Sequence, residues 1–120
     1  MIIIKFWREA DRGTLHMRMT GHAGTADVGQ DLVCAAATML AYTLAQAVTF
    51  LGKDGKLKKK PKIRLRAGRC EIVCTPTEEG YAQALNAFWV QQCGAMTLCS
   101  NYPEYVRLET IRPTDKEPLA

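Results

Sequence analysis

In LKKKPKIRLRAGRCEIVCTPTEEG (Leu57–Gly80), Ile63, Leu65 and Ala67 alternate with basic residues, and Ile72 and Cys74 alternate with Glu71 and Val73. A two-residue repeat sends successive side chains to opposite faces, so this stretch is expected to form two strands with Ala67-Gly68-Arg69 as their turn. At its end, Thr75-Pro76-Thr77-Glu78 has the spacing of a capping box with proline at the first helical position, which predicts a helix from there. Tyr81, Leu85, Phe88 or Trp89, Gln92 or Cys93, Met96 and Cys99 then recur at helical spacing to about Ser100. Gly94, in the middle, is expected to let another backbone approach. Asn101-Tyr102-Pro103 stops the helix, and EYVRLET supplies a last strand.

Upstream, the turn GKDG follows a helix expected over about 20 residues from near Asp31, with Val33, Ala37, Met39 or Leu40, Leu44, Ala47, Val48 and Leu51 on one side and Gly52 as its stop. Before it, Ile2–Trp7 and Leu15–Gly21 are β-prone, and Leu15, Met17 and Met19 alternate with His16, Arg18 and Thr20, as in a hairpin with one face inward. The order is ββαββαβ. It predicts an α/β chain of the α+β type, a largely antiparallel sheet packed with two long helices in a single-domain sandwich. The domain is expected to span 1–111, with 112–120 as a flexible tail.

With 120 residues, 48% hydrophobic and 23% charged, the chain has the balance of an ordinary globular domain. MIIIKFW reads as a first strand and not a signal peptide, because no basic leader precedes it and no small-residue cleavage site follows. The apolar run after Cys34 is alanine-rich and interrupted by Thr38, Tyr42, Thr43, Gln46 and Thr49, so no membrane span is expected. From these readings a cytoplasmic protein is expected. Five cysteines, an odd count without C-x-x-C spacing, argue for reduced thiols. Cys70 and Cys74 would stand about 13 Å apart on one strand face, which disfavours a structural zinc site.

Nine basic residues lie between Lys53 and Arg69 against the single acid Asp54, in a chain of net charge +4. Such a run attracts phosphate backbones, but it has no interleaved aromatics, and a lysine-guarded edge strand is the simpler reading.

The remaining stretch, GHAGTADVGQDLVCAAAT (Gly21–Thr38), holds the chemistry. With Asp31 as helix cap, Cys34 falls where free amides and the helix dipole stabilise a thiolate, and the amides of Leu32, Val33 and Ala35 become candidate oxyanion donors. His22 could reach the same place once the loop carrying Gly24 and Gly29 folds back, forming a thiolate–imidazolium pair. The bland alternative is a small buried hydrophobe at Cys34, a cap at Asp31 and turn glycines. A metal site from His22, Asp27, Asp31 and Cys34 matches no common ligand spacing, and the loop lacks the P-loop lysine, so neither metal nor cofactor is expected.

Gly21-His22-Ala23, Gly29, Asp31-Leu32-Val33-Cys34-Ala35-Ala36 and Tyr102-Pro103-Glu104-Tyr105-Val106 together resemble the ribosomal-processing cysteine proteases, the Prp family, over nearly the whole chain. Thr38 stands where that family usually has serine. The resemblance implies Cys34 as nucleophile and His22 as its partner, with Asp31 capping the helix or orienting the histidine. It implies a mobile substrate loop containing Gly24 and Gly29, a homodimer, and removal of the N-terminal extension of a large-subunit ribosomal protein of the L27 type after an aromatic residue. The alternative is a non-catalytic ribosome- or RNA-associated module gripping RNA through Lys53–Arg69; for a protease, RNA contact is not required. A further rival is a thiol redox sensor at Cys34, for which no resolving cysteine lies nearby in sequence.

Overall fold

The computed structural model describes residues 1–10, 13–22, 28–109, 116–117 and 119. The elements are β1 (Ile2–Glu9), β2 (Leu15–Thr20), α1 (Val28–Lys53), β3 (Lys62–Arg66), β4 (Arg69–Cys74), α2 (Tyr81–Asn101), β5 (Val106–Glu109) and the short β6 (Lys116–Glu117). The sheet runs β3-β4-β2-β1-β5, with β6 also on β1. The pairs β1–β2, β2–β4 and β3–β4 are antiparallel, and β1–β5 is parallel. This is the α+β sandwich expected from the ββαββαβ order.

Pairing directions make β3 parallel to β2 and β5 parallel to β4, so each helix is a crossover between parallel strands. The two crossovers leave along oppositely directed strands and move toward opposite edges of the sheet. With one right-handed rule governing both, α1 and α2 must lie on the same face. They do pack on each other. Alternation along the strands supplies that face: Ile4, Leu15, Met17 and Ile72 are buried against Val33, Ala37, Leu44 and Val48 of α1 and Ala84 and Phe88 of α2.

The other face is a row of charges. Glu71, with a side chain only 9% exposed, faces Arg18 Nε at 3.2 Å, Arg69 at 3.4 Å, Lys62 Nζ at 3.5 Å and Arg64 at 3.9 Å. Burial pushes its carboxyl pKa up, but Lys62, Arg69 and Arg18 together outweigh that and hold it below the usual carboxylate value. Because the folded pKa is depressed, the stabilisation is complete above the unfolded value of about 4.3 and is lost as pH falls through the folded one. Glu71→Gln is expected to cost about 2 kcal/mol in a urea melt at pH 7. That deficit should shrink as both proteins are titrated below pH ~4; an equal deficit at both pH values would remove the charge argument.

Four expectations need correction. The capping box is not used: α2 starts at Tyr81 with Gly80 as its cap residue. Thr75 instead shares a buried hydrogen bond with the Thr14 hydroxyl (2.9 Å), and its carbonyl accepts from the Lys58 amide (2.8 Å), which ties the segment to the sheet end. Along α2 the inward stripe is Ala84, Phe88, Ala95 and Leu98, while Trp89, Cys93 and Met96 are exposed. Apolar residues on several sides of that helix made its phase ambiguous. Gly94 makes room for the Leu40 side chain of α1 and not for a backbone. Finally, Leu32–Lys53 is long and apolar enough to span a membrane by length and composition, with a mean hydropathy of 1.6. Here one side of that helix packs on the sheet through Val33, Ala37, Ala41, Leu44 and Val48.

Within 112–120, expected to fray, Lys116 and Glu117 pair with Glu9 and Arg8, and Leu119 joins the core.

Candidate active site

At one end of the sheet, β2 finishes beside the β3–β4 turn. The Gly21 amide donates to the Gly68 carbonyl at 3.0 Å, and Gly21 itself has φ +94. A side chain there would run into the Met1 carbonyl, so glycine is required both by conformation and by space. His22 follows directly. Its ring lies against Gly68: a Cβ built on Gly68 would stand 2.5 Å from Nε2 and 2.6 Å from Cε1. The turn glycine therefore gives the imidazole its place, and the ring remains exposed to solvent.

Cys34 comes to the same place from α1. It is half-buried and packs against the edge of the core. His22 and Cys34 line one cleft of about 360 Å³. The sheet contributes Ile2, Met19 and Cys70, the helix Ala37, Thr38 and Tyr42, and the hairpin Leu65 to Arg69. The histidine and cysteine are twelve positions apart in sequence, and the chain joins them by ending a strand and beginning a helix on the same side of the sheet end.

The helix start differs from expectation. α1 begins at Val28, so Asp31 is an internal residue of its opening turns and not its cap, and Gly29 is helical backbone and not part of a loop. Cys34 accordingly sits roughly two turns into the helix, beyond the free amides of its first turn. The amides of Leu32, Val33 and Ala35 fall where an α-helix bonds each N–H to the carbonyl four residues back, which commits them away from an oxyanion. Asp27, directly before Val28 in sequence, has the same capping preference as Asp31, and residue type could not choose between them. Leu32 is exposed on the outer side of α1, and Val33 is in the core. Gly24 and Asp27 lie outside the described residues, as does the whole stretch 23–27.

The basic segment is partly neutralised by acids that lie just beyond it in sequence. Lys62, Arg64 and Arg69 converge on Glu71, and Lys56 pairs with Glu79 at 2.8 Å. β3 is the edge strand of the five-strand path, where such cations discourage pairing with another chain. Among the described residues, no three His, Cys, Asp or Glu side chains gather as a metal site would require.

A sequence model of the family described as Cysteine protease Prp matches residues 1–107. The chain belongs to that family. Over 51 residues it is 45% identical to the Ribosomal processing cysteine protease Prp of Bacillus subtilis (strain 168). That stretch is 42% of this chain and 46% of the relative, so the match spans about half the relative's length. Among solved structures it is similar to the essential ribosomal processing protease Prp from S. aureus in complex with a substrate peptide. The TM-score is 0.69 at 22% identity, covering 92% of this chain and all of that one (100%). It is also similar to SMU.848 from Streptococcus mutans, with TM-score 0.68, 25% identity, and coverage of 92% and 94%. Together these place the mixed sheet and its two helices in the Prp fold.

Sequence reasoning had singled out both His22 and Cys34. It had not found Gly68 or Cys70, because neither is near the GHA or DLVC segments in the chain. The only advance signal for Gly68 was its place as the centre of the expected hairpin turn.

Proposed function

We propose that this protein is a cysteine endopeptidase that removes the N-terminal extension of a large-subunit ribosomal protein of the L27 type, acting in the cytoplasm as a homodimer. The observation that carries the reading is the shared cleft: a cysteine and a histidine, in a chain of the Prp family, line one pocket with apolar walls. Ile2, Met19, Ala37, Tyr42 and Leu65 offer those walls to the aromatic residue before the cut.

In this reading His22 takes the Cys34 thiol proton, and Sγ attacks the scissile carbonyl carbon. The tetrahedral species collapses to a thioester as His22 returns the proton to the leaving amine. Water, deprotonated by His22, then hydrolyses the thioester and frees Cys34. Asp31 retains one candidate role, orienting the histidine. No cofactor or metal takes part.

The test is mass spectrometry of an N-terminally extended L27 precursor incubated with wild type and with Cys34→Ser. A single new N-terminus after an aromatic residue, produced by wild type alone, is expected. An intact precursor with both proteins would overturn the substrate assignment.

The outward sides of the two helices support the dimer. Leu32, Met39 and Phe50 of α1 and Trp89, Val90 and Met96 of α2 are all exposed, more apolar area than isolated surface residues explain. Light scattering should give twice the chain mass for wild type and one chain mass for Met39→Glu; a monomeric wild type would exclude this interface.

A further inference from the structure

We propose that Cys70 is the resolving thiol for Cys34, so that a hydroperoxide converts the pair into a reversible disulfide that switches the protease site off. The inference rests on reading Cys34 as a reactive nucleophile.

The two cysteines are 36 positions apart in sequence, yet both line the cleft that also holds His22. The flank of α1 that bears Cys34 and Thr38 runs along the β3–β4 hairpin. At the upper end those two residues share the cleft with Leu65 and Cys70, and further along Thr49 and Gly52 share a depression with Ile63. Leu65 is the register partner of Cys70, and Ile63 of Ile72, so Cys70 stands one strand in from the edge on the side facing the helix. A disulfide needs Cα atoms within about 7 Å. α1 and β4 are in direct contact, as that requires.

The other thiols are placed elsewhere. Cys74 lies on the same strand but inside the core, where burial pushes its pKa up to about 12. Cys93 and Cys99 belong to α2, and the Cys99 thiol donates to the Val106 carbonyl at 3.4 Å. Neither lines the cleft. Burial also raises the Cys70 pKa, against a smaller opposing effect of hydrogen bonding with the Arg66 backbone, which makes that thiol a poor first target for peroxide.

The steps balance. The Cys34 thiolate attacks one oxygen of the hydroperoxide, the O–O bond breaks, and an alcohol or water leaves, giving Cys34 sulfenic acid. The Cys70 sulfur then attacks the Cys34 sulfur, the S–O bond breaks, and hydroxide leaves as water with the proton from Cys70. Two thiols and one peroxide become one disulfide, one alcohol or water, and one water. A dithiol reductant restores both thiols by exchange.

The experiment treats the full reduced chain with several equivalents of hydrogen peroxide and reads intact mass and non-reduced peptide maps, for wild type and Cys70→Ser. Wild type is expected to lose two hydrogen masses through a Cys34–Cys70 crosslink that dithiothreitol reverses. Cys70→Ser is expected to gain two or three oxygens at Cys34 instead, with irreversible oxidation several-fold above wild type. Equal overoxidation in both proteins, a crosslink to Cys74, Cys93 or Cys99, or an unmodified Cys34 would each overturn the proposal. Because the readout is mass, precursor cleavage by the untreated protein reports separately on the protease reading.

Discussion

Cys34→Ser is expected to lower precursor cleavage by about 10⁴-fold or more while changing stability by less than about 1 kcal/mol. The thiol is half-buried at the cleft wall, so exchanging sulfur for oxygen removes little packing. What it removes is the nucleophile, since a serine hydroxyl beside the same imidazole is a far weaker attacking group at neutral pH. His22→Ala should fall by a similar order. The double variant should be no worse than the weaker single one, because both groups serve one proton transfer and one attack. Steady-state cleavage of a fluorogenic peptide spanning the cut, with urea melts run in parallel, measures all three. Wild-type rates in Cys34→Ser would end the assignment of the nucleophile, and additive losses in the double variant would mean that the two residues act apart.

Gly68→Ala is expected to reduce kcat/KM by about 100-fold, although Gly68 performs no chemistry. Its φ of +78 puts alanine in the left-handed region at a cost of about 1–2 kcal/mol, and the new methyl would have to push the His22 ring aside. Gly55 is the matched control. It has φ +72 with nothing within 4 Å of where a Cβ would be, so Gly55→Ala carries the same backbone strain and displaces nothing. Both variants should lose stability to a similar extent, and only Gly68→Ala should lose activity. The two contributions thereby separate in one pair of proteins. Equal kcat/KM for the two variants, each compared with wild type, would show that the turn does not set the position of the histidine.

The hairpin β3–β4 was legible because its alternation is local and its turn contains the one glycine that the turn needs. The same is true of the inner side of α1, where Val33, Ala37, Leu44, Val48 and Leu51 are buried as their spacing requires. Where reading failed, a local signal had a competitor, either close by in the chain or brought near by the fold. Thr75 has the residue type and spacing of a cap, but its hydroxyl meets Thr14, 61 residues away, and the helix starts later. Asp31 has the type of a cap, and α1 begins ahead of it. The run of basic residues suggested an anionic partner, and Glu71 pairs with three of them, Lys62 and Arg64 from the neighbouring strand and Arg69 from its own.

By itself the sequence determined the number and order of the main elements and the inner faces of the hairpins and of α1, because period and turn chemistry act over a few residues. It also singled out His22 and Cys34, since the joint GHA and DLVC pattern names a chemistry without needing a distance. Only the tertiary structure decided that the two helices share one face, a result of crossover handedness acting on oppositely directed strands. Only it placed Gly68 under the histidine and Cys70 in the cysteine's cleft. Those contacts depend on strand register and on packing between segments far apart in the chain, and no local pattern of residues encodes them.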